Sequence, residues 1–475
     1  MSKLIALART FARTIAGSFV AAAACCFAAP HGEAAPSIVY ILADDLGWKD
    51  VGFHRGTIPT PHLDRLAREG AVLNALYAQP HSSQTHAAVM TGRYPMRYGF
   101  QTMSIVPANT FGLPKDERTL AEALKEAGYA TAYIGHWRLG HARQEFWPTR
   151  RGFDHFFGSL SPQGQAASAR AGAPQWRRDE STFPFKRGND ATDLLAKEAV
   201  RVVERHDKRR PLFMMLSLPV PASGEAPAQL SAQFRDVSDP ARRGYAAAVA
   251  AMDRAVGEVV ASLERAAMAD QTLIVFHSDN GGSVPTRLPT GDGDTADVAA
   301  DNGDFRGGKG SLYEGGVRVA SVMRWPGRIR PETIVPQFLH VTDLTATVLQ
   351  AAEAKTSSQK PLDGSDILPL IAGGQASPRK QMLINVEDFR GAVRVGDWKL
   401  ILHAALPPKV ELFNIGRDPE EAENVAAKYP DRAREMMTTL TEYAYDMAPS
   451  LYVEELVSVE SDRRPIVWRQ NPASR

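Results

Sequence analysis

Two pairs of oxygen donors carry the clearest chemistry in this sequence. Asp44 and Asp45 follow the apolar run Ser37 to Ala43, and Asp279 and Asn280 follow a second such run, Thr272 to His277. Carboxylate and amide oxygens with no histidine or cysteine among them suit a hard cation, calcium or magnesium, rather than zinc. Spacing alone leaves open whether the two pairs meet. A third stretch, Gln79 to Arg97 (Q-P-H-S-S-Q-T-H-A-A-V-M-T-G-R-Y-P-M-R), places hydroxyls close to His81 and His86. A serine hydroxyl beside a divalent cation can ionise and act as a nucleophile, and neutral imidazole can serve as base near pH 7.

Such donors need a scaffold that gathers strand ends. Ser37 to Ala43, S-I-V-Y-I-L-A, is continuously apolar and β-branched, as expected of a strand covered on both faces. Leu212 to Leu218 and Thr272 to His277 read the same way. Ala130 to Ile134 follows an amphipathic helix, Thr119 to Ala127, closed by Gly128, and Val319 to Trp325 is a further strand. Helices are expected from Pro61, from Asp239-Pro240 through Leu263, and over Val341 to Glu353. This alternation predicts an α/β sandwich with a large, mostly parallel central sheet flanked by helices, whose ligands gather outside the carboxyl ends of the strands. After the Gly373 to Pro378 linker, a hairpin about Gly396-Asp397, a strand Glu411 to Asn414 and a helix Pro430 to Met447 predict a small C-terminal antiparallel sheet with one helix.

The composition is that of an ordinary globular chain: 475 residues, 44% hydrophobic and 23% charged, with a formal net charge of +1. No block of one sign argues for nucleic acid or an anionic membrane as a partner. Lys3, Arg9 and Arg13 precede an uncharged run from Thr14 to Ala29, the pattern of a secretory signal peptide, with cleavage expected between Ala28 and Ala35. The run is too short and alanine-rich for a membrane span, so no integral span is expected in the mature chain. Ala22-Ala23-Ala24-Cys25 is a weak lipoprotein-like site. The protein is thus expected to be exported, periplasmic or secreted, where calcium is the cation most easily met. The only two cysteines, Cys25 and Cys26, fall in the segment to be removed, leaving no disulfide and no zinc-thiolate site. The expected division is 1–35 signal peptide, 36–375 main domain and 376–475 C-terminal subdomain.

Six blocks in order, I-V-Y-I-L-A-D-D-L-G-W, T-G-R-Y-P-M-R-Y-G, Y-I-G-H-W-R-L-G-H, F-H-S-D-N-G-G, R-G-G-K-G-S-L-Y-E-G-G-V-R and A-V-R-V-G-D-W-K-L-I-L, resemble the sulfatase family, arylsulfatase-like members of the alkaline phosphatase superfamily. The likeness runs from Ser37 to Asn424. By position it implies that Asp44, Asp45, Asp279 and Asn280 are calcium ligands, that Ser82 is the nucleophile and that Lys309 holds the sulfate group. The family's nucleophile is a cysteine within C-x-P-S-R, converted to formylglycine; here the aligned residues are Ser82, Ser83, Gln84, Thr85 and His86. The mature chain has no cysteine to convert and lacks the motif's proline and arginine, so no formylglycine is expected. The lysine and histidine of the family's G-K-W-H-L-G are His136 and Arg138, and a further family histidine aligns with Ala222.

The expected activity is metal-assisted hydrolysis of a sulfate monoester, small-molecule or glycan, with Ser82 as nucleophile, calcium (magnesium as second choice) and Lys309 on the oxyanion, and His86, His136 or His81 as base. Two alternatives stand beside it: a phosphoesterase, and a noncatalytic relative that binds metal and anionic ligands. The acidic stretch Ser283 to Asp304, with Asp292, Asp294, Asp297, Asp301 and Asp304, reads as a surface loop near the site mouth.

Overall fold

Strand β1 (Ser37–Ala43) shows how the sheet is held. Ile38, Tyr40 and Leu42 enter one core layer, while Val39, Ile41 and Ala43 enter the other, and all six are fully buried. Period-two alternation thus loads both faces of one strand, which is why the run is apolar throughout. The computed structural model describes residues 35–160, 176–185, 190–219, 228–284, 300–355 and 360–463. The expected signal segment with Cys25 and Cys26, Ala222, and Asp292, Asp294 and Asp297 lie outside these residues.

The remaining strands are β2 (Ala71–Tyr77), β3 (Ala130–His136), β4 (His155–Ser159), β5 (Trp176–Arg178), β6 (Ser181–Thr182), β7 (Leu212–Leu218), β8 (Thr272–Ser278), β9 (Arg318–Val319), β10 (Ser321–Arg324) and β11 (Thr333–His340). They form one sheet in the order β11-β2-β10-β8-β1-β7-β3-β4-β5-β6, with β9 on β2. β1 pairs in parallel with β7 and β8, β3 with β7 and β4, and β11 with β2; β10 runs antiparallel between β2 and β8. β2 therefore points the same way as β8, and the carboxyl ends of β1, β2, β3 and β8 share one edge. The expected single strand Val319 to Trp325 is divided: between Leu76↔Val319 and Val72↔Val322 the pairing slips by one residue, the extra residue lying on β2, an irregularity that sequence alone does not mark.

Helices cover both faces. α1 (Pro61–Glu69), Ala191–Arg205 and the long Pro240–Arg265 helix send Leu63, Leu66, Leu195, Val203, Val249 and Val256 into one layer. α2 (Ser82–Thr91), α3 (Leu120–Glu126) and Val341–Ala351 supply Val89, Met90, Leu124, Leu344 and Val348 to the other. The caps follow the sequence: Thr119 and Glu122 form a reciprocal capping box on α3, and the Asp239 side chain accepts from Ala241 N–H.

The second sheet is β12 (Gln381–Glu387), β13 (Arg390–Val395), β14 (Trp398–His403) and β15 (Lys409–Asn414), antiparallel in chain order. Leu383, Val393, Leu400 and Leu412 pack on Met436 and Leu440 of the helix Pro430–Tyr445, while Met382, Ile384 and Ile401 pack on Tyr77 and Val317. No described helix is long and apolar enough to cross a membrane.

Candidate active site

β1 and β8 run in register, Ala43 beside Ser278, so Asp44-Asp45 and Asp279-Asn280 leave the sheet side by side. Asp279 N–H donates to Ala43 O at 2.9 Å and Asp44 N–H to Leu218 O at 3.0 Å, extending the ladder through the donors themselves. Asp45 turns with φ 59°, a left-handed conformation that Asp tolerates better than most residues. Its N–H reaches Asp279 Oδ1 at 3.0 Å, and Asn280 Nδ2 donates to Asp45 Oδ1 at 2.8 Å. The two pairs thus form one cluster, with carboxylate oxygens of Asp44, Asp45 and Asp279 all within 4.8 Å of one another.

α2 enters this cluster from β2. Gln79 N–H donates to Thr85 Oγ1 at 2.9 Å, and Thr85 Oγ1 donates to Asp279 O at 2.5 Å, tying the first turn of the helix to the end of β8. Every residue of α2 is buried. Ser82 Oγ lies 3.3 Å from Asp44 Oδ1 and 3.2 Å from Asn280 Oδ1, at the positive end of the helix dipole, where negative charge is favoured.

Cations surround the carboxylates. Arg138 Nη2 pairs with Asp44 Oδ2, Lys309 Nζ is 2.9 Å from Asp45 Oδ2, and His136 Nδ1 is 3.8 Å from Asp44 Oδ2. Arg138 also sits at φ 60°, a conformation that costs an arginine about 1–3 kcal/mol and persists where its surroundings enforce it. Of the charged side chains here Lys309 and His136 are the more exposed, at 17% and 12%, while Ser82 is fully buried.

Burial would raise the Asp44 carboxyl, but Arg138, with His136, Asp279 and Lys309, holds it well below the ordinary carboxylate range. Burial and the charges of Asp44 and Asp45 push Asp279 well above that range. On the helix side, burial pulls His86 down to about 3, with Arg138 adding to it; burial does the same to His81, also to about 3, helped by Arg390 and Lys309. Both imidazoles are therefore neutral near pH 7. His86 Nδ1 lies 3.3 Å from the Tyr133 hydroxyl, which donates to His136 O.

The donor chemistry can be tested for a cation on one further observation. Asp279 Oδ2 is buried with no hydrogen-bond donor beside it. Three clustered carboxylates, an amide oxygen and an unsatisfied oxygen among them make a hard donor set that fits a divalent cation.

Of the residues singled out in the sequence, Asp44, Asp45, Asp279, Asn280, Ser82, Arg138, His136 and Lys309 come together here, and His86 stands one turn deeper on α2. Three supporting groups, Tyr245, Ser278 and Tyr133, are not singled out by the sequence. Tyr245 OH accepts from Gly47 N–H at 3.0 Å, yet in sequence it is one apolar position of a helical stripe. Ser278 Oγ accepts from Leu46 N–H at 3.0 Å and donates to Asn280 O at 2.7 Å, and Tyr133 reads only as a strand residue. Ser278 alone could have been suspected, as the residue preceding the Asp-Asn pair.

A sequence model described as Sulfatase matches residues 36–354, and one described as N-sulphoglucosamine sulphohydrolase, C-terminal, matches residues 306–447. The chain belongs to the sulfatase family. It is 30% identical to arylsulfatase J of Mus musculus, over 89% of this chain and 78% of that protein, and 34% identical to N-acetylgalactosamine-6-sulfatase of Canis lupus familiaris, over 77% and 71%. Among solved structures, that of Ps i-CgsB in complex with k-i-k-neocarrahexaose superposes with a TM-score of 0.80 at 28% identity, covering 91% of this chain and 98% of that one.

Proposed function

We propose that this protein hydrolyses sulfate monoesters with an unmodified Ser82 as nucleophile, a calcium ion held by Asp44, Asp45, Asp279 and Asn280, and Lys309 and Arg138 on the sulfate oxygens. The observation that carries this reading is the position of Ser82 Oγ, in contact with both Asp44 Oδ1 and Asn280 Oδ1 and so inside the donor set. In the first step the Ser82 Oγ–sulfur bond forms as the bond from sulfur to the ester oxygen breaks, and the alcohol leaves with a proton. In the second, water attacks sulfur, the sulfur–Oγ bond breaks and hydrogen sulfate departs, restoring the serine. A bound divalent cation lowers the cost of ionising the hydroxyl and neutralises charge on the sulfate. Asp44, kept ionised by Arg138, orients the hydroxyl, and His136, beside its other oxygen, carries the proton. His86 is too weak a base for that task near pH 7 and packs behind the nucleophile.

Similarity to an N-acetylgalactosamine-6-sulfatase and to a structure bound to neocarrahexaose supports a sulfated sugar as substrate. Residues 36–375 would form the catalytic domain and 376–475 its C-terminal subdomain. The signal-like N-terminus supports export to the periplasm or beyond; the intact mass of the mature protein tests both its removal and the absence of modification at residue 82. Turnover is tested with aryl sulfate and aryl phosphate on wild type and Ser82→Ala in calcium. Sulfate should be cleaved, and Ser82→Ala should not cleave it. Equal rates would remove Ser82 from the mechanism, a phosphate preference would recast the enzyme as a phosphoesterase, and sulfate binding without turnover would make it a binding protein.

A further inference from the structure

Lys309 stands on an irregular segment, Phe305 to Tyr313, so its main chain must be fixed by neighbours if its ammonium is to meet a sulfate at a set position. Two ties come from the site itself. Lys309 N–H donates to Gly282 O at 3.1 Å, just after the Asp279-Asn280 pair, and Gly310 N–H donates to Pro80 O at 2.8 Å, just before Ser82. Gly310 has φ 83°, and a Cβ there would come 3.1 Å from His81 Cε1, so the segment lies tightly against the start of α2.

The third tie reaches in from the other sheet. Arg390, the first residue of β13, donates from Nη1 to Gly310 O at 2.6 Å. Its Nε pairs with Glu387, the last residue of β12, whose side chain is only 7% exposed, so the guanidinium is aimed before any ligand arrives. The Gly310 residue is thereby held at its N–H by the nucleophile segment and at its carbonyl by the C-terminal sheet. Without Arg390 the first two ties remain and keep the segment in place, but the carbonyl next to the lysine is released and Glu387 loses its counter-charge.

We infer that Arg390 is a positioning residue for the sulfate site: by holding the Gly310 carbonyl it fixes the main chain that carries Lys309. This rests on the reading of Lys309 as a sulfate ligand. The test uses the full chain and four variants, Arg390→Ala, Arg390→Lys, Lys309→Ala and the Arg390→Ala/Lys309→Ala double variant. Inorganic sulfate binding is measured by calorimetry, and kcat and KM with an aryl sulfate. Arg390→Ala should weaken sulfate binding and raise KM roughly tenfold, the scale of one lost charge-assisted hydrogen bond, with a smaller fall in kcat. Arg390→Lys, which can still donate to the carbonyl, should recover most of the loss. In the Lys309→Ala background, Arg390→Ala should cost nothing more. Should Arg390→Ala not fold, Arg390→Met keeps the apolar stem and is read the same way. Wild-type sulfate affinity in Arg390→Ala, or losses that multiply in the double variant, would overturn the inference alone. Sulfate binding without turnover would sink the catalytic reading alone, because calorimetry still decides the role of Arg390. Absence of sulfate binding in the wild type would sink both.

Discussion

On the strand side of the site, three carboxylates stand among Arg138, Lys309 and His136; on the helix side, the ten buried residues of α2 include no acidic or basic side chain other than a histidine held neutral. The two sides touch through Ser82 Oγ. One is built to keep charge in place, the other to keep charge out. The contrast implies that cation binding and bond cleavage can be separated by substitution: changes on α2 should alter chemistry and leave the cation alone, whereas changes at the strand ends should take both away.

Ser82→Ala is the sharpest such separation. Turnover of an aryl sulfate should fall by roughly 10⁴-fold or more, as for other enzymes stripped of a nucleophile, while the rise in Tm on adding calcium stays as in the wild type. A variant that lost both would erase the distinction between the two sides. Asp279→Ala should take both away. Wild type should gain about 2.7 kcal/mol of stability when calcium stands at 100 times its Kd, and chelator should remove that gain. In Asp279→Ala the calcium response and the turnover should both disappear; an unchanged calcium response in differential scanning calorimetry would place the cation elsewhere.

Arg138→Ala probes the counter-charge. Removing one partner of a buried ion pair typically costs about 3–5 kcal/mol, because the other is left uncompensated. Calcium should restore much of this loss, since a cation offers Asp44 another counter-charge. A Tm deficit indifferent to calcium would argue that Arg138 holds only its own strained turn. The smallest effect concerns the helix side. The His86 imidazole, with a folded value of about 3 against 6.5 when free, disfavours protonation in the folded state. Its contribution to stability is therefore present above pH 6.5 and is lost as pH falls from 6.5 toward 3, by at most about 1.4 kcal/mol per unit. His86→Gln should lessen the acid loss of Tm between pH 6.5 and 4.5; an acid profile identical to that of the wild type would show that His86 titrates freely.

What could be read in the chain beforehand divides along the same line. Strands buried on both faces announce themselves, and β1 and β7 fall on the expected residues because their alternating side chains must all be apolar. The strand-end donors were equally legible, since hard oxygen ligands at the ends of such strands have few other uses. β2, β4, β11 and β12 give no such signal. β11, T-I-V-P-Q-F-L-H, carries a proline and exposes Ile334 as well as Gln337, and its strand character comes from its partner β2 rather than from its own pattern. Meeting of the two donor pairs was set by sheet register, which no local pattern encodes. The ties from Tyr245 and Arg390 were invisible for the same reason, each being one polar atom at the end of a side chain that also packs.

The placement of β1 bears on how the molecule comes to be made. Its neighbours β7 and β8 lie far along the chain, with Ser37 and Leu212 separated by 175 residues and Asp45 and Asn280 by 235. A chain emerging from the ribosome carries Asp44 and Asp45 long before the strand that brings their partners exists, and β1 must wait with both edges open. Pairings at such range are slow to form, and an unpaired apolar strand is prone to association with other chains in the interval. The cation site thus cannot be completed before β8 has been made. Cation retention by the purified protein consequently serves as a gauge of whether β1 and β8 have paired.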